Sequence, residues 1–497
     1  MQKTQRITLY AAILGSAVVF LDGTVVNVAL PAIRDDLHTG LAAQQWIVEA
    51  YLLTLGALLL VGGSLGDRLG RRRVFMAGLA GFGATSALCA IAPSPELLVA
   101  MRAIQGIAGA LLVPSSLALI TAVFGPDERG RAIGTWTAWT GVAFVAGPLG
   151  GGALIEFASW RWIFGINVPF VLATLSLARH VPESRDEEME GRIDYVGALL
   201  ASFGLAGPVF ALIEQPSYGW SDPLVWIPLV GGVALLGAFV GWEAHTPHPM
   251  LPLRLFRARN FAVGNIATLL LYGGLGAATF FITIYLQQVA GYTAIAAGLS
   301  LVPITVLMAL LSRRWGGLSD TLGPRLLMGC GPIVAGLGLI WIGRMGSDVT
   351  YMIDLLPGVI LFGLGLSATV APLTNTVLGA VPQHHAGVAS GINNQVARVA
   401  ALLAIAVVGA VVAARFESVL GGDTDVPPLS GGSPRIVDAS VAAFHAGLEV
   451  GGALVILGGI ISLVGIVNPR RAAEPVEDLG ASRLAQPCWQ ESQHKAA

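Results

Sequence analysis

The sequence predicts an all-α integral membrane protein of fourteen transmembrane helices, built as two six-helix halves with a two-helix insert between them. Three observations carry this. The 497 residues are 55% hydrophobic and only 12% charged, where a soluble globular chain carries about a quarter charged residues. Fourteen windows are apolar over about 20 residues, enough to cross ~30 Å of hydrocarbon at ~1.5 Å per residue. One ten-residue pattern occurs twice, and the shift between its copies groups the helices.

The windows fall at 8–31, 45–66, 73–92, 97–121, 131–155, 161–179, 193–214, 223–243, 261–286, 294–312, 325–344, 352–379, 387–414 and 443–467. The first follows Lys3 and Arg6 as a signal peptide would, but Asp22 interrupts it and it runs on to Pro31, so it reads as an uncleaved helix. Gly63, Leu65, Asp67, Gly70 and Arg72 recur as Gly316, Leu318, Asp320, Gly323 and Arg325, a constant offset of 253. The copies follow windows two and ten, a shift of eight helices, which two six-helix halves with an inserted pair explain. Parallel repeats of this kind build one large class of transporters. The expected organisation is a first half over 1–180, a linker with the inserted pair over 181–260, a second half over 261–467 and a tail over 468–497.

Charge placement predicts orientation. With a cytoplasmic N-terminus, the cytoplasmic segments hold 21 Lys and Arg and the opposite side five: Arg34, Arg161, Arg344, Arg415 and Arg435. This positive-inside bias puts both termini and the tail in the cytoplasm of a multi-pass protein of the cell (inner) membrane. The net charge of −2 carries no signal for nucleic acid.

Composition also excludes chemistries. Lys3 and Lys495 are the only lysines, so neither a P-loop nor a lysine Schiff base is available. Cys89, Cys330 and Cys488 are far apart and give no disulfide framework or zinc site. Gly62-Gly-Ser64-Leu-Gly66 fits a hydrolase elbow, but no strand precedes it. His384-His385 reads as a solvated loop pair, not a metal site.

Five stretches resemble the major facilitator superfamily, and within it the fourteen-helix drug:proton antiporters that include quaternary-ammonium and multidrug efflux pumps. Leu21-Asp22-Gly-Thr24 through Pro31 is similar to the first-helix motif of that subfamily. Gly63 to Arg73, with Asp67, Arg68, Gly70, Arg71 and Arg72, resembles the loop motif after helix two, and Asp320 with Arg325 belongs to its second copy. Arg102-Ala-Ile-Gln105-Gly106 resembles the proton-linked motif of helix four; Gly141 through Gly147-Pro148-Leu149-Gly150-Gly151 resembles the antiporter motif of helix five. Trp160 through Pro169 is similar to the entry of helix six.

Charges inside helices are costly and mark function or pairing. Five stand out: Asp22, Glu49, Arg102, Arg398 and Glu449. Asp22 is either a proton or cation site or the permanent partner of an arginine. Arg102, at comparable depth, is its obvious partner; the alternative is an arginine reaching to the outer headgroups. Glu49 is either a second acid or an interfacial glutamate. Arg398 resembles a family arginine, though Ala400-Ala401 replace the usual glycines; Glu449 has no family role and defaults to structural pairing. The Asp67 loop is expected to gate conformation by capping a helix or pairing across the halves, and Gly147-Pro148 to kink helix five. Trp136, Trp139 and Phe144 offer a cation-π surface.

The resemblance implies a proton-coupled antiporter exporting hydrophobic, cationic drugs or toxic compounds by alternating access. Its partners are the substrate, protons and the bilayer, with the proton gradient in place of a cofactor and no adaptor indicated. The alternative is a dedicated exporter of one endogenous metabolite or self-made antibiotic. Rivals are an importer or lipid-handling protein without proton coupling, and a membrane enzyme, which would need clustered Ser/His/Asp or metal spacing.

Overall fold

A computed structural model describes residues 2–185, 194–247, 249–382, 386–421 and 426–468. His384 and His385 lie outside them, as do most of the tail and Cys488. Described elements are helical throughout: α1 Lys3–Leu37, α2 Leu41–Leu69, α3 Arg71–Ala90, α4 Pro95–Val123, α5 Pro126–Phe157, α6 Trp162–Gly165, α7 Asn167–Ala178, α8 Tyr195–Tyr218, α9 Pro223–His245, α10 Arg259–Gln288, α11 Ala294–Ser300, α12 Val302–Leu322, α13 Pro324–Ile342, α14 Leu356–Gly379, α15 Ala386–Leu420 and α16 Pro434–Gly465. Among the described residues, 12 spans are long and apolar enough to cross a membrane, with α11 and α12 counted as one. The two remaining sequence windows fall on α5, whose side chains are described in part, and on the shorter Trp162–Ala178 stretch.

Three apolar windows that read as single helices are broken, each just before a proline. The α6–α7 break precedes Pro169, the α11–α12 break precedes Pro303, and the π-turn Tyr351–Leu355 abuts α14 before Pro357. A proline lacks the N–H that the carbonyl four residues back requires. Hydropathy alone cannot register that loss.

Short connections make successive long segments antiparallel, so both described ends of the chain lie at one end of the bundle, here the terminal end. Contacts between the halves crowd the opposite, distal end. There Arg34 Nη1 donates to Gln288 Oε1 at 2.6 Å, Gln287 Nε2 donates to Val28 O at 3.1 Å and Gln45 Nε2 donates to Ile405 O at 3.1 Å. One hydrophobic core joins Val26, Leu30 and Ile33 of α1 to Phe280, Ile284 and Leu448 of the second half. Nearer the terminal end the first half keeps separate cores around Phe75 and Phe82, and around Leu9 and Ile120.

The inserted helices have a definite seat. Leu205, Val209 and Ile213 of α8 share a core with Leu402 and Ala406 of α15, and Trp46 and Leu53 of α2 pack against it. Trp46 Nε1 donates to Glu214 Oε1 at 2.8 Å. α8 thus straddles the α2–α15 seam between the halves. α9 packs back on α8 through Gly204, Gly207 and Gly232, and turns Leu224, Ile227, Val230 and Val233 outward. Glu214 and Glu243 join the five charges expected inside helices.

Glycine sets the closest approach in the first half. A Cβ at Gly62 would overlap Ala110 O, and one at Gly106 would overlap Tyr51 O and Thr54 Oγ1, so α2 and α4 touch backbone to backbone. Gly62-Gly66 is therefore packing surface. Gly62→Ala and Gly106→Ala should each cost about 1–3 kcal/mol, read as a lower melting temperature in detergent. Gly237→Ala, with nothing within 4 Å of its Cβ position, should melt like the native chain; equal melting of all three variants would mean the α2–α4 contact yields freely.

Candidate functional site

Asp22 of α1 and Arg102 of α4 meet in the first half, 0% and 1% exposed. Arg102 Nη1 lies 2.5 Å from Asp22 Oδ2 and donates to Gln105 Oε1 at 2.6 Å, while Nε donates to Ile47 O at 3.0 Å. Its guanidinium carbon sits 4.2 Å from the Tyr51 ring centroid and 5.7 Å from that of Phe164. Asp22 Oδ1 accepts from Gln105 Nε2 at 3.2 Å and Asn167 Nδ2 at 3.1 Å. Ser86 of α3 closes the ring, its Oγ accepting from Gln105 at 2.8 Å and Asn167 at 3.3 Å. The Cys89 thiol donates to Gln105 Oε1 at 3.9 Å.

Each helix brings its group for a local reason. Gln105 is one turn from Arg102, on the same face of α4. Asn167 is the first residue of α7, immediately after the break before Pro169. The α1 turn holding Asp22 is reached closely by α5, because a Cβ at Gly147 would overlap Thr24 and one at Gly151 would overlap Val25. The same stretch meets the second half: a Cβ at Gly298 would lie 2.8 Å from Pro148 O, and one at Gly152 2.8 Å from Ile295 Cα. The antiporter-like motif is thus where α5 joins α1 and α11. α5 is assigned as one helix through Pro148; Gly141 lies in it, and the side chain of Phe144 is not described. Trp136 is half-buried and donates to Ser16 Oγ at 3.1 Å, and Trp139 is exposed.

Glu49 differs. It is fully buried, and neither carboxylate oxygen has a hydrogen-bond partner among the described residues. It lies on the α2 face between Gln45 and Gly56, both of which meet α15: a Cβ at Gly56 would lie 3.8 Å from Arg398 Cβ, and Gln395 Nε2 donates to Gly56 O. Glu49 therefore sits at the seam between the halves, and an interfacial position reaching water is ruled out in this conformation. Arg398 is half-buried on α15 and stands outside the Asp22 cluster. Glu449 is exposed on α16 with no ion pair among the described residues, contrary to the structural pairing expected.

The repeated loop motif is docked within each half. Asp67 Oδ1 accepts from Arg71 Nε at 2.8 Å, so this aspartate pairs along its own turn and not across the halves. Gly70, at φ 111°, takes the left-handed backbone that favours glycine. Beyond it, Glu183 accepts from Arg72 N at 2.9 Å and lies 3.6 and 3.7 Å from the Arg72 and Arg73 guanidinium nitrogens; Arg71 N donates to Ser184 O at 2.8 Å. Gly63 rests on Pro114, and Arg68 is exposed. In the second copy Gly323 has φ 83°, Arg325 N donates to Asn468 Oδ1 at 3.1 Å and Arg325 Nε to Leu463 O at 2.5 Å. The Asp320 side chain is outside those described. The first loop is thus fastened to the segment that follows α7, and the second to the end of α16 and the residue Asn468 beyond it, a symmetry that the repeat alone does not reveal.

Long apolar helices packed around a buried ion pair are the architecture of a multi-pass membrane transporter. The Major Facilitator Superfamily model matches residues 12–405, and the chain belongs to that superfamily. It is 34% identical over 467 residues to a puromycin resistance protein of Streptomyces alboniger, covering 92% of this chain and 90% of the relative. It is 34% identical over 450 residues to a tetracenomycin C resistance and export protein of Streptomyces glaucescens, covering 89% and 82%. The drug-efflux resemblance of the motifs is thus matched by relatives named for resistance and export. A bacterial homologue of the human lysosomal transporter Spinster shares the fold, with a TM-score of 0.70 at 16% identity over 94% of this chain and 97% of that one.

Removing one partner of the buried pair strands a charge. Asp22→Asn and Arg102→Gln should each destabilise by about 3–5 kcal/mol, and the double variant should recover most of that loss. Thermal melts of the four proteins form the cycle; additive losses would show the pair to be uncoupled.

Proposed function

We propose that the protein is a proton-coupled efflux antiporter of fourteen membrane crossings with both termini cytoplasmic, exporting hydrophobic, cationic compounds by alternating access. The observation that carries this reading is the pair of intramembrane acids in opposite environments. Asp22 has a counter-charge and two amide donors, which suit the carboxylate. Glu49 has none among the described residues, which suits the neutral acid. In the distally closed form Glu49 carries the proton and Asp22 is held by Arg102. Parting of α2 from α15 wets Glu49 and lets its proton change, while a cation or proton reaching Asp22 competes with Arg102. The antiporter-like glycines of α5 let α1 and α11 move together at that level.

A second reading, export of one self-made antibiotic or metabolite, is supported by relatives named for single compounds, puromycin and tetracenomycin C. Transport in everted vesicles across lipophilic cations, neutral drugs and anions separates the two, since a dedicated exporter handles few of them. With a transported compound, Asp22→Asn should lose pH-gradient-driven uptake by at least about tenfold, and Glu49→Gln should still bind compound but lose substrate-induced proton movement. Full coupled transport by Asp22→Asn would overturn the mechanism.

A further inference from the structure

The inserted hairpin carries a second pair of acids that the transport mechanism does not use. Asp194 caps the N-terminus of α8, its Oδ1 accepting from Gly197 N at 2.8 Å and from Trp242 Nε1 at 2.9 Å. Glu243, in the last turn of α9, is 3% exposed, and its Oε2 accepts from Leu251 N at 2.9 Å. The other two oxygens, Asp194 Oδ2 and Glu243 Oε1, are buried and receive no donor among the described residues. They converge: a Cβ on Gly197 would lie 2.6 Å from the first and 2.7 Å from the second.

The charged groups on the elements beside them are His245 of α9, and Arg254 and Arg257 of the 3-10 turn Leu253–Arg257. His245 Nδ1 is 2.8 Å from Gly241 O, and neither arginine forms an ion pair with Asp194 or Glu243 among the described residues. Two ionised carboxylates facing one another, with no cation paired to either among the described residues, repel. One proton between them converts the repulsion into a charge-assisted O–H···O bond.

We propose that Asp194 and Glu243 form a proton-binding site, a carboxyl–carboxylate pair that fastens the linker at 249–258 to the inserted hairpin. Asp194 stands where the chain enters the hairpin from the first half. Glu243 holds the Leu251 backbone where the chain leaves toward α10, the first helix of the second half. One shared proton therefore secures both passages. The fastened form keeps a proton that the parted form releases, so fastening weakens as pH rises, by about tenfold per unit from the ordinary carboxyl range up to the pH at which the shared proton leaves, and is constant above it.

The test uses the full chain in lipid nanodiscs, without substrate, and so stands or falls apart from transport. Hydrogen exchange of amides 249–258, corrected for intrinsic pH dependence, should show protection that falls as pH rises, by up to about tenfold per unit, and then levels off. Infrared spectra should show a protonated carboxyl band vanishing at the pH where the fall levels off. Glu243→Gln and Asp194→Asn supply an amide donor in place of the proton; each should keep the protection, lose its pH dependence and lose the band. Gly197→Ala keeps both acids but places a methyl against both oxygens, and should abolish the step. An unchanged pH response in either amide variant or in Gly197→Ala, or the absence of the band in the native chain, overturns the proposal. So does protection restored at high pH by calcium ions, which would assign the pair to a cation.

Discussion

The first half is organised around one buried ion pair. Asp22 and Arg102 are out of water, and an unpaired charge there would cost several kcal/mol, so α1, α3, α4 and α7 must arrive together with their donors in place. Gln105 and Asn167 each give one N–H to Asp22 and one to Ser86, which ties the position of α7 to that of α4. The break before Pro169 starts α7 at the residue that must point at the carboxylate. The glycine contacts between α2 and α4, and between α1 and α5, let polar side chains of ordinary length reach one point. The loss of any of these would leave a charge with an incomplete shell.

Much of this was legible in the sequence. The apolar windows located the helices, and the comparable depth of Asp22 and Arg102 identified the partners, because depth depends only on counting from the helix ends. What depth cannot supply is azimuth. Glu49 lies at a shallow count and reads equally as interfacial; only its neighbours Gln45 and Gly56, seen against α15, place it at the seam. Gln105 and Asn167 lay within motifs whose arginine and tryptophans drew attention first, though the one-turn spacing from Arg102 was a signal for Gln105. The three breaks before prolines were visible as Pro169, Pro303 and Pro357 but invisible to an average over 20 residues. Glu183 and the Asp194–Glu243 pair had no local signal, since each contact joins segments that only the folded topology brings together.

Charge is handled in three ways. Asp22 is matched by a cation, Asp67 by an arginine one turn along, and Glu49 by nothing among the described residues. The docking of Arg72 and Arg73 on Glu183 shows the same economy: basic residues of the repeated loop hold the α2–α3 turn to the segment that follows α7. The repeated loop is then a fastening at the terminal end of the bundle, while hydrogen bonds such as Arg34–Gln288 and Gln287–Val28 join α1 to α10 at the other.

The seat of α8 has a mechanical consequence. A helix bonded to α2 through Trp46 and packed on α15 through Leu402 and Ala406 cannot remain with both once those two separate. Any parting of the seam must peel α8 from one neighbour, which exchanges protein contact for lipid along that strip. The composition and thickness of the surrounding bilayer thereby enter the energy of opening, and the inserted pair makes the membrane itself a third body in the movement of the two halves.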